Sequence, residues 1–182
     1  MSKGQRYMRE VAAQFQDWIG GQWRPRSTLL APIEGWHAKG DLESSAASPF
    51  VIECKKVEGW ELDGLMSSWN WTVWAWWEQA VSQACVYLRD GASPQSAIPL
   101  LTFARNKRPT LVLGAAATFE WLDTRPGDGP GLTIRAGKRR LGIYRLTDLV
   151  RSNPPRAKPK TGWPVEAAGW LADCAIRHPL RN

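Results

Sequence analysis

The residues best equipped for chemistry lie in Phe50-Val-Ile-Glu-Cys-Lys-Lys56, with an acid, Asp41, a short way upstream. Read as a strand, this segment alternates with period two. Phe50, Ile52 and Cys54 then face one side, and Val51, Glu53 and Lys55 the other. A carboxylate and an ammonium group thus stand side by side on a strand otherwise apolar enough to be core. Buried charges are costly unless they are paired or bound to a metal. Asp41 adds the charge that would complete a site for a hard divalent cation, with Lys55 beside it. Such a layout suits metal-assisted hydrolysis of a phosphodiester.

Composition removes the main competitors. Cys54, Cys85 and Cys174 are odd in number and far apart, fitting neither a disulfide framework nor a zinc pattern. With only His37 and His178 present, neither a zinc site nor a histidine-based triad is expected. The formal charge of +7 and pI near 9.7 favour polyanionic partners, of which nucleic acid is the commonest inside cells. Hydrophobic residues at 43% and charged residues at 23% fit a soluble globular chain rather than a disordered one. No apolar run is long enough for a bilayer, so no membrane association is expected. Met1-Ser-Lys-Gly-Gln-Arg6 enters a polar helical pattern without the apolar stretch of a signal peptide, so the expected location is the cytoplasm.

The elements that must position these groups can be read from periodicity. Met8, Val11, Ala12, Phe15, Trp18 and Ile19 recur at helical spacing over 7–19, and Gly20-Gly21 ends that helix. Residues 22–28 read as a first strand carrying Arg24 and Arg26. A second strand approaches or contains Asp41, and 50–56 is the third. A short helix over 62–66 and a long one over 70–88 follow, the latter with an apolar stripe of Val73, Trp76, Trp77, Ala80, Ala84, Tyr87 and Leu88. Trp69, Trp71 and Trp74 exceed what one core can take and suit either a partner subunit, the favoured reading, or stacking on nucleic-acid bases. Residues 98–103 and 110–115 read as buried strands, 132–135 and 141–145 as a late hairpin, and 147–151 as a short helix. Residues 1–151 are expected to form the functional domain. Residues 152–182 read as a basic, proline-rich linker and a small helix near 164–176.

The order of helix, strands bearing Asp and then Glu-x-Lys, helix and further strands resembles the PD-(D/E)xK nuclease superfamily. Lys3-Gly4 followed by Arg9-Glu10, then Gly40-Asp41 and Glu53-Cys54-Lys55, is similar to archaeal and phage-type Holliday-junction resolvases within it. That resemblance implies an α/β fold with a restriction-endonuclease-like core, a central mixed sheet of about five strands flanked by helices. It implies Mg2+, with Mn2+ as substitute, held by Asp41, Glu53, the Cys54 backbone carbonyl and Glu10, the last directly or through a water. Lys55 would orient or deprotonate the attacking water. No small-molecule cofactor is implied. Here Gly40 stands where the motif has proline, and Glu34 and Glu43 lie close enough to compete with Asp41. In related nucleases a helical glutamine points back at the metal. Gln79 is preferred for that role, with Gln83 as the alternative, since Gln83-Ala-Cys-Val-Tyr87 resembles the Gln-x-x-x-Tyr element of RecB-like nucleases.

For contacts to DNA phosphates the basic residues Lys3, Arg6, Arg24, Arg26, Lys56, Arg105, Lys107 and Arg108 are the candidates, Arg24 and Arg26 foremost. The expected function is a metal-dependent, structure-selective endonuclease that resolves four-way DNA junctions by paired symmetric nicks, which calls for a two-fold homodimer. The alternatives are a restriction-type or repair nuclease on linear or flapped DNA, and a non-catalytic DNA-binding protein on the same scaffold.

Overall fold

The computed structural model describes residues 2–26, 37–45, 48–60, 71–89, 97–121, 131–136 and 139–152. The expected short helix at 62–66 and the tail beyond 152 lie outside them, as does Trp69.

Helix α1 (Lys3–Ile19) begins four residues before the apolar periodicity does. Ser2 explains the extension: it sits in extended backbone and its hydroxyl accepts the Gln5 N–H at 3.2 Å, satisfying one of the otherwise orphaned donors of the first turn. Tyr7, Val11, Phe15 and Trp18 form the buried stripe, and Trp18 stacks on Phe50 with ring centroids 5.9 Å apart.

Three short strands follow: β1 (Trp23–Pro25), β2 (His37–Lys39) and β3 (Leu42–Ser44). They pair antiparallel in the order β1-β3-β2. Strand β1 is shorter than the 22–28 expected, and its last residue is Pro25, which cannot donate to a ladder and so suits this edge position.

The main sheet contains β4 (Phe50–Lys56), β5 (Ile98–Ala104), β6 (Leu111–Ala115), β7 (Leu132–Ala136) and β8 (Arg139–Arg145), ordered β4-β5-β6-β8-β7. Only β4 and β5 run parallel, so the sheet is mixed, with five strands as expected. All seven residues of β5 are buried, as befits a strand covered on both faces.

One face packs on α1 and the short helix α4 (Leu146–Ser152) through Phe50, Ile52, Ile98, Leu100, Leu146 and Leu149. The other packs on helix α2 (Trp71–Arg89), whose Val73, Trp77, Ala80, Val81, Ala84 and Cys85 meet Val51, Leu101, Phe103 and Leu113. Trp74 and Trp76 lie partly buried against this second core rather than fully outside it. A helix absent from the sequence reading, α3 (Ala116–Trp121), follows β6 directly, and its Phe119 packs against Tyr144 with centroids 4.5 Å apart. The chain is therefore α/β, a mixed sheet between helical layers. Among the described residues no helix is long and apolar enough to cross a membrane.

Candidate active site

Gly40 and Asp41 form the two-residue turn between β2 and β3, where Lys39 pairs with Leu42. Gly40 has a φ of +76°, and a Cβ there would lie 2.3 Å from the Ile52 carbonyl oxygen. Proline, whose ring fixes φ near −65°, could not adopt that conformation, so the glycine in the motif's proline position is a requirement of this turn. The turn lies against the open edge of β4. Gly40 bridges Ile52 in parallel fashion, the Asp41 N–H donates to Ile52 O at 2.8 Å, and the Cys54 N–H donates to Asp41 Oδ2 at 2.8 Å. A residue's N–H and C=O leave a strand on the same side, so the Cys54 carbonyl also faces this edge, toward Asp41.

Glu53, from the next position of β4, is buried at 1% side-chain exposure, and Lys55 Nζ sits 2.6 Å from its Oε1. The other oxygen, Oε2, is buried without a hydrogen-bond partner among the described residues. Burial raises the pKa of Glu53, and the neighbouring Asp41 charge adds to that, while the Lys55 hydrogen bond opposes it. Asp41 is likewise raised by burial, against the lowering effect of the Cys54 N–H and then of Lys55 and Arg26. Glu53 and Lys55 thus share one face of β4, as the strand alternation implied, and Asp41 is electrostatically coupled to both.

Helix α2 closes it from the other side. Gln83 lies close enough to Glu53 to lower its pKa against the effect of burial, and Gln83 Oε1 is buried without a hydrogen-bond partner among the described residues. Gln79, the preferred candidate, is exposed, whereas Gln83, the alternative, is half-buried and is the one of the two that acts on Glu53. One turn further on, the Tyr87 hydroxyl accepts the Gly40 N–H at 3.1 Å. Tyr87 had been read only as part of the apolar stripe and of the Gln-x-x-x-Tyr resemblance, and that four-residue spacing was the signal of a role at the site.

The third expected acid does not join this group. Glu10 is half exposed and its carboxylate lies 3.7 Å from Lys56 Nζ, on the α1 side of β4. Among the described residues no three His, Cys, Asp or Glu side chains gather where they could hold a metal ion. Glu43, a rival for Asp41, is buried and ion-paired to Arg24, directly across the β1–β3 ladder, while Glu34 lies outside the described residues. Arg24 is therefore engaged with Glu43, and Arg26, exposed and electrostatically coupled to Asp41, is the nearer of the two favoured arginines.

Lys3 and Arg6 are exposed on the first turns of α1. Lys107 and Arg108 are exposed in the β5–β6 turn. Arg105 instead turns inward, donating to the Trp60 carbonyl at 3.3 Å with its guanidinium over that indole ring.

The donor set fits a hard divalent cation: two carboxylates, one with a buried oxygen that has no hydrogen-bond partner among the described residues, and a backbone carbonyl on the same edge. Clustered carboxylates of raised pKa are what a cation would relieve.

No curated protein and no solved structure matches the chain. The sequence model of one protein family, described as "Phage putative PDDEXK endonuclease", matches residues 1–127. That span includes α1, Asp41, Glu53, Lys55, Gln83 and Tyr87, and it accounts for the restriction-endonuclease-like arrangement of the mixed sheet and its helices. The chain belongs to this family of phage PDDEXK endonucleases.

Proposed function

We propose that the protein is a Mg2+-dependent, structure-selective DNA endonuclease that resolves four-way junctions by paired nicks, acting as a homodimer. The observation that carries the catalytic part is the pairing of Asp41 and Glu53, two desolvated carboxylates, with Lys55 on an edge strand. Asp41, Glu53 and the Cys54 carbonyl would hold the cation, which when bound lowers the pKa of a water and draws charge from the scissile phosphate. Lys55, fixed by its bond to Glu53, orients the attacking water and neutralises the charge that builds on the phosphate. Gln83 Oε1 offers an acceptor at the same place, suited to aligning that water. The exposed cations Lys3, Arg6, Arg26, Lys107 and Arg108 supply sequence-independent affinity for the DNA backbone.

Junction selectivity rests on the resemblance of Lys3-Gly4, Glu10, Gly40-Asp41 and Glu53-Cys54-Lys55 to resolvases, and two-fold symmetry would supply two nicks in strands of like polarity. The test is cleavage of a four-way junction beside a linear duplex of the same sequence, with Mg2+, Mn2+ or chelator, for the wild type and for Asp41→Asn and Glu53→Gln. Paired, symmetric, metal-dependent nicks confined to the junction and lost in both variants are expected. Equal cutting of the linear duplex would remove junction selectivity. A wild type that cuts neither substrate with either metal would remove the enzyme altogether.

A further inference from the structure

Asp41 does not belong to the sheet that carries Glu53. Its turn is part of the three-stranded sheet, and among the described residues its hydrogen bonds to the five-stranded one are those to Ile52 and Cys54. Gly40 is buried, so its N–H needs a partner, and its lack of a Cβ lets the turn sit closely on β4. That partner is the Tyr87 hydroxyl, one turn along α2 from Gln83, which lies near enough to Glu53 to influence it. One rigid helix therefore touches both halves of the site, four residues apart.

We propose that Tyr87 is a positioning residue: by accepting the Gly40 N–H, its hydroxyl fixes the turn at the place from which the Asp41 carboxylate serves a cation. This rests on the reading of Asp41 and Glu53 as its ligands. Tyr87→Phe removes only the acceptor and keeps the ring against the second core. Leu88→Ala, on the neighbouring residue partly buried against the same core, is the control for a purely structural effect.

Three quantities are read for each protein: Mn2+ affinity by calorimetry, hydrogen exchange of the Gly40 amide in glycine-labelled protein, and kcat and KM for junction cleavage. The wild-type Gly40 amide should be protected. In Tyr87→Phe that protection should fall, Mn2+ should bind about tenfold more weakly, and kcat should drop with KM unchanged, as when an outer partner of a ligand is lost. Leu88→Ala should lower the melting temperature and leave Mn2+ affinity alone. Unaltered Mn2+ affinity in Tyr87→Phe, or equal weakening in Leu88→Ala, would overturn the proposal. So would an unprotected Gly40 amide in the wild type, a reading that decides the matter even if Tyr87→Phe does not fold. A wild type that binds Mn2+ and loses it through Asp41→Asn but not Tyr87→Phe overturns the role of Tyr87 alone. One that binds no Mn2+ overturns the ligand reading as well.

Discussion

Replacing Gly40 with alanine tests how Asp41 is held, and two separable costs set its size. The first is conformational: at a φ of +76°, any residue with a Cβ loses about 1–2 kcal/mol. The second is steric. The new Cβ would lie 2.3 Å from the Ile52 oxygen, 2.9 Å from its carbonyl carbon and 3.0 Å from its nitrogen, all of them backbone atoms that cannot rotate aside. Carbon and carbonyl oxygen normally approach to about 3.3 Å at closest, so the turn must lift by about 1 Å. The lift lengthens the Asp41 N–H bond to Ile52 and the Cys54 N–H bond to Asp41, each contributing about 1 kcal/mol. The total is about 3–4 kcal/mol, or a melting point lower by about 10 °C in a chain of this length.

Gly59 supplies the internal control. Its φ is +83°, but nothing lies within 4 Å of its would-be Cβ. Gly59→Ala should therefore show the conformational cost alone, about 1–2 kcal/mol. The difference between the variants, measured by denaturant unfolding, isolates the close approach to β4. Cleavage should separate them further: a 1 Å displacement of Asp41 is expected to lower the rate about a hundredfold in Gly40→Ala, with little change in Gly59→Ala. If the two variants unfold alike and cleave alike, the turn is not pinned to β4 and the account of Asp41 fails.

Three more expectations follow from the same geometry. Burial holds Asp41 and Glu53 above their ordinary values of 3.8 and 4.5, so the folded state takes up protons first and stability falls as pH rises through that interval, remaining lowered at neutral pH. In chelator Asp41→Asn should thus melt above wild type at neutral pH, with the gap closing toward about pH 4; a gap independent of pH would refute burial as its cause. Mn2+ titration should show Glu53→Gln losing at least about tenfold in affinity and Glu10→Gln distinctly less, since Glu10 faces Lys56; equal losses would bring Glu10 into the ligand set. On DNA, Lys107→Ala and Arg108→Ala should each reduce the salt dependence of binding by about one unit of slope without altering stability. Arg105→Ala should instead cost about 1–2 kcal/mol of stability through its lost contacts to Trp60, and identical behaviour of all three would contradict that division.

Much of this was legible in the residues because the relevant signals were local. Strand alternation alone assigned Glu53 and Lys55 to one face, and helical spacing located the buried stripes of α1 and α2. What failed depended on contacts between elements. The choice between Gln79 and Gln83 is a matter of some 40° around a helix, which no periodicity resolves when both neighbours are polar, and only the docking of α2 on the sheet decides it. Glu10 shares a helix with the core residues Tyr7 and Val11, yet its partner is set by where α1 crosses β4, and there it meets Lys56. Helix α3 went unread because Ala116 and Ala117 continue the apolar run of β6 without a turn signal between them.

The site's place at a sheet edge follows from what an edge strand offers. Its outward N–H and C=O groups are unpaired, and proteins ordinarily cover or block them to prevent pairing with another chain. Here the edge of β4 is covered by a turn rather than by a strand: Ile52 O accepts the Asp41 N–H, and the Cys54 N–H donates to the Asp41 side chain. A full partner strand would have consumed the Cys54 carbonyl and left no room for a carboxylate. The single bridge at Gly40 and Ile52 covers the edge while leaving the Cys54 carbonyl outside any strand ladder, on the side where Asp41 lies. The absence of a Cβ at Gly40 makes that close seat available, so the residue that departs from the motif is also the one on which the geometry of the motif's aspartate depends.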